Sequence, residues 1–141
     1  MALLQITYVS RATERLRACD LPELIASARR HNESRNITGA LYFADGRFIQ
    51  VLEGAEHHLM PLYGSIVDDP RHTKVETVSI RPIETPRFAG WGLGHLPAEF
   101  VTSAAREAIR AARTPGSAWA DGSLTEILAE FERALRTEVT T

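Results

Sequence analysis

The period of the hydrophobic pattern changes several times along the chain, and each change marks an element. Leu3–Val9 alternates, with Leu4, Ile6 and Tyr8 on one face and Leu3, Thr7 and Val9 toward the other, which predicts a strand. At Asp20-Leu-Pro-Glu-Leu the period becomes helical: Asp20 suits the N-cap, Pro22 the first turn and Glu23 the capping-box position. Leu21, Leu24, Ile25 and Ala28 make one apolar stripe, and Asn32 continues it. Alternation returns across Asn36–Gly54, where two β-rich runs flank Asp45-Gly46, a strong hairpin signal because both residues tolerate positive φ. The strands are predicted near Ile37–Phe43 and Phe48–Leu52, with Phe48, Gln50 and Leu52 sharing a face. A second helix is predicted over Glu56–Val67, with Leu59, Leu62, Tyr63, Ile66 and Val67 as its stripe, stopped by Pro70. Lys74–Ile83 alternates again, and Trp91–Leu96 reads as a glycine-weakened last strand with Trp91, Leu93 and His95 on one side.

This order, β-α-β-β-α-β-β, predicts an α+β fold: a ferredoxin-like mixed sheet with both helices on one face. The tail supplies two more helical patterns, Pro97–Arg113 and Ser123–Glu138, expected to pack on the other face, where Ile49 and Val51 would otherwise be exposed. The expected division is residues 1–97 as the main domain and 98–141 as a C-terminal helical extension. Part of the Leu124–Leu135 stripe is free to meet a second subunit, so a homo-oligomer is expected.

Bulk properties narrow the function. The 141 residues suffice for one domain with a sizeable core, and a net charge of −2 gives no sign of nucleic-acid binding. No apolar run approaches the roughly 20 residues that span a bilayer, and no signal-peptide pattern opens the chain, so the expected setting is cytoplasmic, with no membrane partner. One cysteine, Cys19, excludes an intramolecular disulfide. There is no zinc-type Cys/His spacing, Walker A loop or nucleophile elbow, and the five histidines show no ligand-like pairing, so neither metal nor catalytic residues are expected. Glu53, just before Gly54, reads as a strand-end or turn residue.

What remains is a set of polar groups on core-facing surfaces. Singly, each has a plain explanation: Gln50 bonding nearby backbone, Tyr8 packing in the core, Asn32 capping its helix. In a ferredoxin-like strand order, however, the first and third strands are adjacent, which makes Tyr8 and Gln50 cross-strand neighbours under the helices. A phenol and an amide would then floor a pocket suited to a planar ligand edged with donors and acceptors.

With these residues in that order, the sequence resembles the BLUF family of flavin-binding blue-light sensors over about Leu3 to Leu96. The resemblance rests on Tyr8-Val-Ser10, His31-Asn32, Ile37-Thr38-Gly39, Gly46-x-Phe48-x-Gln50-x-Leu52-Glu53-Gly54, Asp69-x-Arg71-His72 and Arg87-Phe88-x-x-Trp91. It implies a non-enzymatic photoreceptor binding FAD non-covalently, with FMN or riboflavin as substitutes in recombinant protein. It implies that Tyr8 donates an electron and proton to the excited flavin and that Gln50 relays the hydrogen-bond change. Asn32 would hold the ring's polar edge, His31 would be among the cofactor-binding residues, and Ile25, Phe48 and Ile66 would form apolar walls. Asp69, Arg71 and His72 would lie near the flavin and its ribityl–phosphate chain, and Trp91 and Leu93 would carry the signal outward to a downstream protein. Two positions depart from the family: Leu93 stands where Met is common, and Ala28 where some relatives carry a polar residue. The competing classes are a flavin-binding interaction module without photoactivity and a small acylphosphatase-like enzyme; the latter lacks its anion-binding loop in Ser10–Ala18.

Overall fold

The alternation of the first strand extends over Leu3–Ala12 (β1) in the structure, a computed structural model that describes residues 2–17, 20–44, 46–96 and 122–140. It is followed by α1 (Leu21–Ser34), β2 (Thr38–Ala44), β3 (Arg47–Ala55), α2 (Glu56–Val67), β4 (His72–Ile83), β5 (Gly94–Leu96) and α3 (Gly122–Thr140). Cys19 and Asp45 lie outside the described residues, as does the first tail helix expected over 97–113. The expectation that both tail helices cover the sheet therefore lies outside them too. The chain forms two compact units, Met1–His95 and Leu96–Thr141.

In the first unit the fold is the expected ferredoxin-like α+β arrangement, with strand order β4-β1-β3-β2-β5. β1 lies between β3 and β4, antiparallel to both, and β2 pairs antiparallel with β3. The hairpin between β2 and β3 turns through Gly46 at φ 72°, a left-handed conformation that glycine adopts without a Cβ penalty. At Gly39 the strands approach so closely that a Cβ would meet the Val51 carbonyl oxygen at 2.1 Å. The pairing of β1 with β4 slips between Thr7 and Tyr8 and again between Val9 and Arg11, and nearby Lys74 takes φ 53°.

Period-2 alternation places the even-numbered residues of β1 and β3 under the helices. Ile6, Tyr8 and Leu52 pack with Leu59 and Tyr63 of α2, while Phe48 joins Leu41, Leu93 and Ile25 of α1. Leu59 is fully buried, and truncating such a leucine to alanine costs about 2–5 kcal/mol. The other sheet face carries Thr7, Ile49 and Val51, all buried. In the second unit Ile127, Leu128, Phe131, Ala134 and Leu135 of α3 are buried at helical spacing.

Local expectations needed correction at four places. Asp20 takes helical dihedrals and makes no side-chain cap; its carboxylate instead accepts the Arg17 backbone N–H at 3.2 Å. Val67 ends α2 exposed rather than joining the apolar stripe. β5 begins only at Gly94, so Trp91 precedes the strand and its carbonyl accepts the Gly39 N–H at 3.0 Å. β3 runs three residues past Leu52, which makes Glu53 a fully buried strand residue, not a turn residue.

Candidate functional site

A cavity of about 520 Å³ opens over the sheet between α1 and α2. The register that builds its floor is direct: Tyr8 on β1 and Gln50 on β3 are Cα partners, and Gln50 is in turn opposite Leu41 on β2. Tyr8 O–H donates to Gln50 Oε1, so the amide's NH₂ end is what remains to meet a ligand. Both side chains are buried. Burial, reinforced by Tyr63 and by the charge of Asp69, holds the Tyr8 phenol well above its ordinary ionisation range. The floor is therefore a neutral phenol bonded to a neutral amide.

Aromatic groups surround the phenol. Tyr63 lies 5.6 Å from Tyr8 between ring centroids, and its hydroxyl hydrogen-bonds Thr77 Oγ1. His72 meets Tyr8 and Phe48 edge-on at 6.1 and 6.3 Å. Its Nε2–H donates to the Ile66 carbonyl, so Nδ1 is the acceptor for Ser10 Oγ at 2.9 Å. Those two bonds fix the ring between β1 and the end of α2. Beside it, Asp69 grips Arg71: Oδ1 accepts the Arg71 backbone N–H at 2.9 Å and its Nε–H at 3.0 Å. The hydrogen bonds from Arg71 hold the Asp69 carboxyl below the usual carboxylate range, and the same pairing raises the Arg71 guanidinium further.

On the α1 side, Asn32 is buried on the helix stripe but does not cap the helix with its side chain; Nδ2 donates to the Gly92 carbonyl at 2.8 Å. His31 is exposed at the rim, its Nδ1 accepting from Arg35 Nη1 at 3.1 Å. The expected residues Tyr8, Ile25, His31, Asn32, Phe48, Gln50, Ile66, Asp69, Arg71, His72 and Leu93 all line this one cavity. Trp91 does not; it is half-buried outside the lining, because the chain around Gly92 is not yet a strand and the expected alternation of Trp91 with Leu93 does not hold.

Several lining residues are not among the expected site residues, including Arg35, Leu41 and His58, while Leu62 lines the cavity as part of the α2 stripe. Leu41 was readable, since the hairpin register sets it opposite Gln50. The larger omission is Glu53, outside the cavity. Oε1 accepts from Thr38 Oγ1 (3.2 Å) and the Phe88 N–H (2.8 Å); Oε2 accepts from Gln5 Nε2 and the Arg87 N–H, both at 2.9 Å. Gln5 Oε1 in turn accepts from Arg81 Nε at 2.9 Å. One carboxylate thus ties β1, β2 and the 87–88 segment to the strand that carries Gln50.

The donor set fits a flavin. Apolar walls from Ile25, Phe48, Ile66 and Leu93 suit a flat aromatic ring, and the Gln50 and Asn32 amides suit its polar edge. Arg35, Arg71 and His58 also line the cavity and bring to it N–H groups of the kind that meet anionic oxygen. No group of three or more His, Cys, Asp or Glu side chains among the described residues could hold a metal ion, and no helix among them is long and apolar enough to cross a membrane.

Comparison with known proteins agrees with this geometry. A family model described as "BLUF: Sensors of blue-light using FAD" matches residues 3–94. Photoactivated adenylate cyclase subunit beta of Euglena longa is 36% identical over 113 residues, 80% of this chain but 12% of that protein. The chain thus spans about one-eighth of the length of this curated relative. Among solved structures, "BlrB - a BLUF protein, dark state structure" superposes with a TM-score of 0.71 at 27% identity, covering 97% of each chain. Klebsiella pneumoniae BlrP1, solved with FMN and cyclic diGMP, gives a TM-score of 0.69 at 31% identity, covering 90% of this chain and 34% of that one.

Proposed function

The chain belongs to the BLUF family, sensors of blue light using FAD, and from that premise we propose that it is a non-enzymatic photoreceptor whose primary event is proton-coupled electron transfer from Tyr8. The observation that carries this reading is the hydrogen bond from the Tyr8 phenol to Gln50 Oε1 at the floor of a flavin-sized cavity. Bound flavin supplies the light absorption and, when excited, the oxidising power.

The residues divide the remaining work. Tyr8 enters neutral, because burial disfavours phenolate, so it releases its electron only together with its proton. With flavin as the oxidant, Tyr8 would give up its electron and pass its proton along the existing bond to Gln50 Oε1. Gln50 is suited to relay it, since a primary amide carries an acceptor and a donor end and can exchange them by rotation or tautomerisation. When electron and proton return, Tyr8 is restored and Gln50 is left with altered hydrogen bonds to the ring edge. Gln50 would then offer the polar edge of the ring a changed hydrogen bond, through which it would shift the absorption to the red. Asn32 would orient that same edge and Arg71 would meet the side chain of the cofactor, while His72, its ring nitrogens bonded to Ser10 and Ile66, would serve as part of the cavity wall.

FAD is the expected cofactor, and the ring-binding parts of the cavity serve FMN equally. The longer relatives join such a sensor to a cyclase, as the Euglena longa name states; for this chain the output we propose is a protein–protein contact. The test is spectroscopic. Purified protein should be yellow, release its flavin intact on heating, and show a reversible red shift in blue light. Tyr8→Phe and Gln50→Leu should each retain flavin and lose the shift. A normal photocycle in either variant would refute the assigned roles, and a protein that stays colourless after incubation with FAD would refute the cofactor.

A further inference from the structure

Helix α1 holds the chain just ahead of β5 by its backbone. Arg29 donates to the Leu93 carbonyl twice, from Nε at 3.2 Å and Nη2 at 2.8 Å. One turn later Asn32 Nδ2 donates to the Gly92 carbonyl at 2.8 Å. With the Gly39 N–H on the Trp91 carbonyl, three successive carbonyls each have a donor from another element. Helix and segment are pressed together at Gly92, where a Cβ would lie 2.7 Å from Glu33 Cγ and 3.2 Å from Arg29 Cγ.

The two α1 residues sit differently. Asn32 is buried and lines the cavity, whereas Arg29 is exposed and outside the lining. An amide nitrogen carries two hydrogens. With one on Gly92, the other hydrogen and Oδ1 are what Asn32 can offer a ligand, so a single side chain can bridge the ring edge and the Gly92 peptide.

We propose that Arg29 is a positioning residue for signal output, which pins the Leu93 carbonyl so that a change at Asn32 turns the Gly92–Leu93 segment as a unit. The inference rests on the photoreceptor reading above. Two donors on one acceptor fix the orientation of a peptide plane. Without them the Leu93 peptide plane is less constrained, and more of a pull on Gly92 is absorbed by local backbone torsions. With them the pull moves Leu93, whose buried side chain is part of the cavity wall with Ile25, Leu41 and Phe48. Output then runs through the backbone at position 93 and needs no sulfur in its side chain.

The experiment uses the full flavin-loaded chain as wild type, Arg29→Ala and Arg29→Lys, recording absorbance and hydrogen exchange across residues 91–96 in the same dark and lit samples. Wild type should show a light-dependent exchange difference there. Arg29→Ala should lose that difference while its red shift keeps the wild-type size, and Arg29→Lys should restore part of it. In wild type the Arg29 Nε–H resonance should move on illumination. An undiminished exchange difference in Arg29→Ala, a stationary Arg29 resonance beside a shifting flavin, or loss of the red shift in Arg29→Ala would each overturn the inference. A wild type that binds flavin and shows no red shift would instead sink the photoreceptor reading, and absorbance alone would reveal it.

Discussion

Glu53→Gln is a change of one atom that should cost far more than its size suggests. The carboxylate is fully buried and accepts from four donors, two on each oxygen. Glutamine must turn one of those oxygens into an NH₂ donor. If the amide nitrogen replaces Oε2, it faces the Arg87 N–H, which cannot reverse, and Gln5 Nε2, which can give way only by a rotation that turns a donor toward Arg81. If it replaces Oε1, Thr38 Oγ1 can switch to accepting, and only the Phe88 N–H is stranded. The second orientation should win. Its cost is one buried unsatisfied donor, about 1–3 kcal/mol, plus the charge assistance lost from the remaining bonds, for a total of roughly 2–4 kcal/mol. With a urea m-value of about 1–3 kcal/mol/M for a domain of this size, the midpoint should fall by roughly 1–2 M at unchanged m. Urea titrations of wild type and variant, each saturated with FAD so that the binding contribution cancels, measure the difference. A loss below about 0.5 kcal/mol would mean that water satisfies these donors and that the network is not desolvated as described.

Three further outcomes follow from the same geometry. Because burial raises the Tyr8 phenol when folded, its contribution to stability is present below the unfolded value of about 10 and is lost as pH rises above it; Tyr8→Phe should therefore flatten the alkaline limb of the stability curve, read by denaturation between about pH 9 and 11. Asp69 is depressed by Arg71, so its contribution is present above the unfolded value of about 3.9 and is lost as pH falls through the lower folded value. Asp69→Asn should cost under about 1 kcal/mol at neutral pH, the pair being partly exposed, and progressively less as pH falls below the unfolded value. Leu93→Met should change stability by less than about 1.5 kcal/mol, leave the absorption shift nearly intact and enlarge the light-induced exchange across residues 91–96; equal light-induced exchange in both proteins would mean that the side chain at position 93 adds nothing to the backbone route.

The parts of the fold that follow from periodicity were legible. α2 has the bounds its stripe predicted, and the pairing of β1 with β3 sets Tyr8 opposite Gln50 as the strand order required. Glu53 was misread because Leu52 looked like the end of a strand and Glu-Gly like the start of a turn. Yet alternation already set Glu53 on the face of Ile49 and Val51, and a carboxylate there called for donors. Arg29 could not have been found this way. Its partner is a main-chain carbonyl 64 residues away, and no side-chain pattern encodes a backbone acceptor. Asp20 illustrates the reverse error: its residue type suits a cap, but the preceding Arg17 N–H claims the carboxylate first.

The central position of β1 has a consequence for how the molecule is made. Leu3 pairs with Ala55 on one side and with Ile83 on the other, so the first strand to be synthesised cannot be enclosed until the last long one exists. At about 5–20 residues per second, the roughly 70 residues between Ala12 and Ile83 take on the order of 4–14 s to emerge. Through that interval Ile6 and Tyr8 have only the hairpin and, once it emerges, helix α2 to shelter them, with their β4 edge still open. Such distant pairings also slow closure, because loop entropy must be overcome before any contact rewards it. A growing chain therefore has no finished cavity to offer a flavin until Gly92 and Leu93 have left the ribosome. Loading with cofactor is in this sense a late event in biosynthesis, and flavin supply during expression should govern how much chain escapes aggregation.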